Sequence, residues 1–72
     1  MILQKNNKEM NINENIKQER KKAGMTQKEL AEKLSVYQKD VSRWETGERT
    51  PSIKNIYRIC EVLDIPINTL LK

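Results

Sequence analysis

The stretch TQKELAEKLSVYQKDVSRWETG, Thr26–Gly47, decides how this chain folds. Thr26 and Glu29 form T-x-x-E directly before Leu30, Ala31 and Leu34, a capping-box start followed by apolar residues at helical spacing. Ser35 interrupts the spacing, Val36 offers an apolar anchor inside a turn, and from Gln38 the helical pattern resumes through Val41, Trp44 and Glu45 to a stop near Gly47. Two short helices joined by a tight turn are therefore predicted. The second divides its faces sharply. Val41, Trp44 and Glu45, at i, i+3 and i+4, share one side, and Gln38, Lys39, Ser42, Arg43 and Thr46 take the remainder.

Working outward, a helix is predicted to begin after Asn11, with Asn11 as N-cap and Glu14 three residues later completing a capping-box-like pair. Ile12, Ile16 and Ala23 fall along its inner face and Gly24 supplies a left-handed stop. Arg20 lies on that same face, where an unpaired charge is expensive. Glu45 is misplaced in the same way beside Trp44. One buried ion pair between Arg20 and Glu45 is the simplest account of both.

Downstream, Glu48 to Pro51 read as a loop with Arg49 exposed, since Pro51 discourages helix at Thr50. Ser52 is placed to cap a fourth helix whose broad apolar stripe comprises Ile53, Ile56, Tyr57, Ile59, Cys60 and Leu63, and Asp64 to Pro66 break it. A short closing helix runs through Asn68, Leu70 and Leu71, with Asn68 or Thr69 near its start. Ile65, Ile67, Leu70 and Leu71 offer more apolar surface than one small core needs, so part of it is a candidate dimer seam. Residues 1–10, MILQKNNKEM, lack a sustained pattern and read as a flexible tail. A basic arm, or a strand at Met1 to Leu3 pairing between subunits, is the other use of that segment.

Composition bounds the function. Seventy-two residues permit one domain, residues 11–72, and a chain this short buries only about 60% of its unfolded surface. Apolar residues are 36% and charged residues 33% of the sequence, but the apolar ones are periodic, which favours amphipathic helices over disorder. A net charge of +4 suits a polyanionic partner, with the placement of the charges mattering more than their sum. The sequence contains no histidine and one cysteine, Cys60, so His-assisted nucleophiles, zinc knuckles and internal disulfides are excluded. No carboxylate pair stands out from the solvated helix faces, and neither an enzyme nor a metal or cofactor site is expected. With no apolar span and no leader-like start, the reading is a cytoplasmic protein without a membrane segment.

The segments IKQERKKAGMTQKELAEKL, SV, VSRWETGERTPS and ICEVLDIPINTLL together resemble the lambda-repressor-like family, in particular the xenobiotic-response-element type of helix-turn-helix regulator. The TQ-x-x-LA opening, the W-E-x-G-x-x-x-P segment and their spacing coincide, and the resemblance covers about Asn11 to Leu71. It implies an all-α domain of five helices with the helix-turn-helix at helices 2 and 3. It further implies a transcriptional regulator, a repressor first of all, that binds double-stranded DNA as a homodimer on a short palindromic operator with helix 3 in the major groove. By position, Gln38, Lys39, Ser42 and Arg43 match residues that face base edges. Gln27, Thr46, the Gly47 backbone and Arg49 match residues that grip phosphate, and Arg20 with Glu45 matches a recurrent ion pair.

The chemistry of the residues agrees. Gln bonds bidentately to adenine, Arg and Lys to guanine O6 and N7, and Ser to several edges, while helix N-termini and backbone amides attract phosphate near Gln27 and Gly47. A restriction-modification controller or an antitoxin with the same fold, and a helical interaction module that has lost DNA binding, are the alternatives.

Some positions depart from the family pattern. Ser35 stands where Gly is common, and a left-handed non-Gly residue costs roughly 1–2 kcal/mol. Tyr37 replaces a small hydroxyl cap, leaving its phenol to reach a phosphate or lie across a sugar. Glu19 stands where many relatives are apolar, which suggests a smaller contact for helix 1. Asp40 either complements the dipole of helix 3 or reads a cytosine N4. Lys17, Lys21 and Lys22 read as a solvated face that can also steer DNA. Cys60 reads as a small core residue, with a redox-sensing thiol as the other reading.

Overall fold

A computed structural model describes residues 11–72, and the reading of residues 1–10 lies outside the described residues. Five helices follow one another: α1 (Ile12–Lys22), α2 (Gln27–Leu34), α3 (Gln38–Thr46), α4 (Ile53–Leu63) and α5 (Ile67–Leu71). Among the described residues there is no strand, and no helix is long and apolar enough to cross a membrane.

Local chemistry sets the boundaries. The Asn11 side chain accepts from the Glu14 backbone N–H at 3.1 Å and starts α1. The Glu14 carboxylate does not return the bond; it accepts from Gln18 Nε2 at 2.7 Å, one turn on, so only half of the expected capping box forms. Gly24, at φ +73°, turns the chain out of α1, and the Met25 N–H closes on the Arg20 carbonyl at 3.2 Å. Ala23 is the C-cap of α1 and is exposed. Its assignment to the inner face is corrected, because the chain leaves the helix before that position can turn inward.

At the start of α2 both halves of the box are present: Thr26 Oγ1 accepts from Glu29 N–H at 3.0 Å, and Glu29 Oε1 accepts from Thr26 N–H at 2.8 Å. The helix stops at Ser35, which is left-handed at φ 59°, ψ 43°. The Ser35 and Val36 amides bond back to the Glu32 and Ala31 carbonyls at 3.2 and 3.0 Å. That closure delivers Val36 to the core edge, and it requires the strained Ser35 geometry. Asp64 does the same after α4, at φ 57°. Helix α4 is opened by Ser52, whose hydroxyl accepts from Asn55 N–H at 3.2 Å.

The core is built from Ile16 of α1, Leu30, Ala31 and Leu34 of α2, Val41 and Trp44 of α3, Ile56, Ile59, Cys60 and Leu63 of α4, and Leu70 of α5. Helix α3 packs on α1 and α2, α4 on α2, and α5 on α1 and α4. A helix of five residues has no stability of its own, and α1 secures it: Asn15 Nδ2 donates to the Leu70 carbonyl at 2.9 Å and the Lys72 carbonyl at 3.2 Å. Helix α5 begins at Ile67 with Pro66 at its cap, ahead of the predicted start at Asn68 or Thr69. Pro66 has no side-chain acceptor to cap the helix, and the Thr69 N–H bonds back to its carbonyl at 3.0 Å.

Two residues assigned to the inner stripe of α4 lie outside it. Ile53 is 67% and Tyr57 57% exposed. The aliphatic set considered as a dimer seam behaves in the opposite way. Leu70 is fully buried, Ile65 and Ile67 pack against the core, and Leu71 is half-buried. Spare apolar surface therefore sits on α4 rather than at the C-terminal end.

Candidate nucleic-acid interface

Helix α3 is fixed from its inner side. Arg20 and Glu45 are each 7% exposed. Arg20 Nε lies 2.6 Å from Glu45 Oε2 and its Nη2 lies 3.1 Å from Oε1, a bidentate fork. The remaining Arg20 nitrogen, Nη1, donates to the Met25 carbonyl at 2.6 Å, and Gln27 Nε2 donates to Glu45 Oε1 at 3.0 Å. Every polar atom of the pair that burial takes from water has a protein partner, the condition under which a buried ion pair is tolerated. Arg20 of α1 and Gln27 of α2 thereby meet at one carboxylate near the end of α3, and the Met25 carbonyl joins the cluster through Arg20.

A second tie went unnoticed in the sequence. Asn13 Nδ2, on the first turn of α1, donates both to the Trp44 carbonyl, 31 residues away, and to the Arg49 carbonyl at 3.2 Å. It satisfies a carbonyl near the C-terminus of α3, where intrahelical partners run out, and pins the following loop to it. The loop is further folded on α3 by the Arg49 N–H on the Arg43 carbonyl at 3.2 Å and the Thr46 hydroxyl on the same carbonyl at 3.2 Å. Gly47 adopts φ +87°, a conformation L side chains rarely adopt.

The outward side of α3 is different. Gln38 and Lys39 are exposed, and Ser42 and Arg43 are half-buried. Tyr37 stands at the N-cap, 80% exposed, and its side chain makes no capping bond. The Asp40 carboxylate instead accepts from the Tyr37 N–H at 3.3 Å, which holds the carboxylate at the start of its own helix. Arg43 Nε lies 3.7 Å from Glu48 Oε2 in an open, solvent-screened contact.

Two concavities flank this surface. One of about 490 Å³ runs over Tyr37, Gln38, Lys39, Asp40 and Arg43. The other, about 360 Å³, lies between α3 and the start of α4 and brings Arg43, Arg49 and Ser52 to one wall. Arg43 and Asp40 border both. Gln27 lies apart from these residues, half-buried against Glu45, with one of its two amide hydrogens engaged there. Lys21 and Lys22 are exposed and Lys17 half-buried on α1, and Lys22 pairs with Glu19 at 3.3 Å. Cys60 is buried, and burial raises its thiol above the ordinary range, which keeps it protonated and slow to react.

The helix-turn-helix family model matches residues 16–70, from α1 into α5. The chain belongs to the helix-turn-helix family. Among its relatives is YqaE of Bacillus subtilis, named as an uncharacterized HTH-type transcriptional regulator, 35% identical over 61 residues that cover 85% of this chain and 53% of YqaE. The chain spans about half the length of the curated relatives it matches, as it does for SinR of Bacillus subtilis, an HTH-type transcriptional regulator 41% identical over 61 residues covering 83% of this chain and 55% of SinR. The structure of SinR, described as a master regulator for biofilm formation, in complex with DNA superposes with a TM-score of 0.80 at 40% identity, covering 86% of this chain and all of that one. The P22 c2 repressor in complex with a synthetic operator gives 0.77 at 30% identity, covering 85% and 92%. The five-helix arrangement is thus that of lambda-repressor-like helix-turn-helix domains, with the helix-turn-helix at α2 and α3.

Proposed function

We propose that this chain is the DNA-reading part of a transcriptional repressor that binds a short palindromic operator in double-stranded DNA as a homodimer, with α3 in the major groove. The observation that carries the reading is the division of α3. Glu45 is locked to Arg20 and Gln27 on the inside, so Gln38, Lys39, Ser42 and Arg43 are presented on a rigid helix whose rotation is set. Bidentate readers of adenine and guanine gain discrimination from such positioning. Arg49, which shares a groove with Arg43, and the Thr46–Gly47 turn take backbone phosphates. Gln27 donates its second amide hydrogen to phosphate while its first braces Glu45. Tyr37 reaches a phosphate or a sugar from the start of α3.

The SinR and P22 c2 complexes support the reading, since those proteins are bound to DNA through domains of this shape. Selection from random duplexes by gel shift is the test. An enriched palindrome fits a dimer, and its half-site spacing gives the dimer's geometry. Neutralising about six phosphates per dimer makes log K fall against log salt with a slope of about −5. No enrichment at low salt, or a flat salt response, overturns the proposal.

A further inference from the structure

We infer that Asn13 of α1 is a positioning residue for phosphate binding, acting through the backbone of Arg49; this deepens the DNA-reading proposal above and rests on it. The loop after α3 needs a hold from outside itself. Residues 46–50 are all exposed, so burial of their side chains does not fix them. The Glu48 N–H that would continue α3 onto the Trp44 carbonyl donates to Thr46 Oγ1 at 3.4 Å instead, and the helix ends with that carbonyl open. Asn13 Nδ2 fills it with one hydrogen and gives the other to the Arg49 carbonyl at 3.2 Å. Both acceptors are carbonyls, so the nitrogen of the carboxamide serves here and its oxygen cannot. A Cβ added at Gly47 would lie 4.0 Å from Asn13 Cγ and Oδ1, which places the carboxamide against the turn itself.

Arg49 is thereby held at both ends of its backbone. Its N–H donates to the Arg43 carbonyl at 3.2 Å, and its carbonyl accepts from Asn13. Two fixed peptide planes set the direction in which the Cα carries the side chain. Without Asn13 the second plane is released, and the guanidinium has to be ordered anew each time DNA is bound, at a cost in affinity. Base reading does not pass through the Arg49 tie. The rotation of α3 is set by Glu45 with Arg20 and Gln27, and buried Pro51 anchors the far end of the loop. The defect expected on losing Asn13 lies in phosphate binding, with base preference and the fold retained.

The test is a double-variant cycle in gel shifts with the whole chain, on a duplex taken from the random-duplex selection and on a random one. Asn13→Ala is expected to weaken binding to both by the same factor and to select the same base sequence as wild type. Its slope of log K against log salt is shallower by about 2 for a dimer, one phosphate lost per copy. Arg49→Ala does the same, and the double variant binds no more weakly than Arg49→Ala alone, because both changes remove one contact. Losses that multiply in the double variant, or an altered base preference in Asn13→Ala, overturn the inference. A second measurement needs no DNA and detects a variant that has merely lost its fold. In Asn13→Ala the Arg49 amide exchanges its hydrogen about tenfold faster than in wild type, while the amide of buried Val41 keeps its protection. An unchanged rate at Arg49, or protection lost at both amides, counts against the positioning role. A wild type with no enriched duplex and a flat salt response overturns the DNA-reading proposal and the role of Asn13 with it, whereas a wild type that binds, with Asn13→Ala its equal, overturns this inference alone.

Discussion

The two sides of α3 share nine residues and obey different rules. On the inner side a single carboxylate, that of Glu45, collects three side-chain N–H groups from Arg20 and Gln27. On the outer side four polar residues carry hydrogen-bonding groups that face solvent, and the one ion pair there, Arg43 with Glu48, is long and open. The inner side is saturated and specifies position; the outer side is unsaturated and is left with capacity to bond something else. A substitution on the first should move stability, and one on the second should move recognition.

Glu45→Ala is the harshest way to break this division. It leaves Arg20 buried without its anion, and urea melting is expected to show a loss of about 3–5 kcal/mol. A shift too small to measure would mean that the pair adds little to folding and that the inner side is less decisive than its geometry suggests. On the outer side, Arg43→Ala is expected to cost about 1–3 kcal/mol of binding to the preferred duplex and to relax base preference, with the melting curve in place, whereas Arg49→Ala weakens binding to all sequences alike. Equal losses from both variants on selected and random duplexes would erase the distinction between reading and gripping.

The start of α3 lies on the boundary between the two sides. Tyr37→Ser supplies the hydroxyl cap that α2 has in Thr26 and α3 lacks, and is expected to raise stability by about 1 kcal/mol. If the phenol meets a phosphate or a sugar, the same variant binds DNA less tightly, a pairing of gain and loss that fluorescence melting and gel shift read separately. The smallest effect expected is from Ser35→Gly. It relieves a left-handed residue at the turn but frees the unfolded chain, for a net gain of about 0.5–1 kcal/mol in the same melting assay.

Much of this was legible in the sequence because the signals are local. Thr26 with Glu29, Ser52, Gly24 and Gly47 each act on backbone groups within a few residues, so their chemistry can be read without knowing the fold. The Arg20 and Glu45 side chains were conspicuous because each carries a charge on an apolar stripe. Helix α4 shows where reading by pattern fails. Ile53 is as apolar as Ile56 and Ile59, Tyr57 carries a large aromatic ring on the same stripe, and only the placement of α2 and α5 decides which part of that wide stripe is covered. Asn13 and Asn15 were illegible for the opposite reason. They look like ordinary surface residues of a first turn, and the carbonyls they bind lie 31 to 57 residues further on. The candidate interface was therefore found as a set of side chains, and the amides that hold the surrounding backbone were not.

Asn13 carries a further consequence. One side-chain nitrogen touches both the end of α3, at Trp44, and the loop that follows it, at Arg49. Helix α1 thus works as a datum from which both surfaces are measured. On the proposed reading, the outer side chains of α3 can be exchanged for others without disturbing the height at which the loop meets a sugar–phosphate strand. A domain organised in this way can change the sequence it recognises while keeping its footing on the duplex.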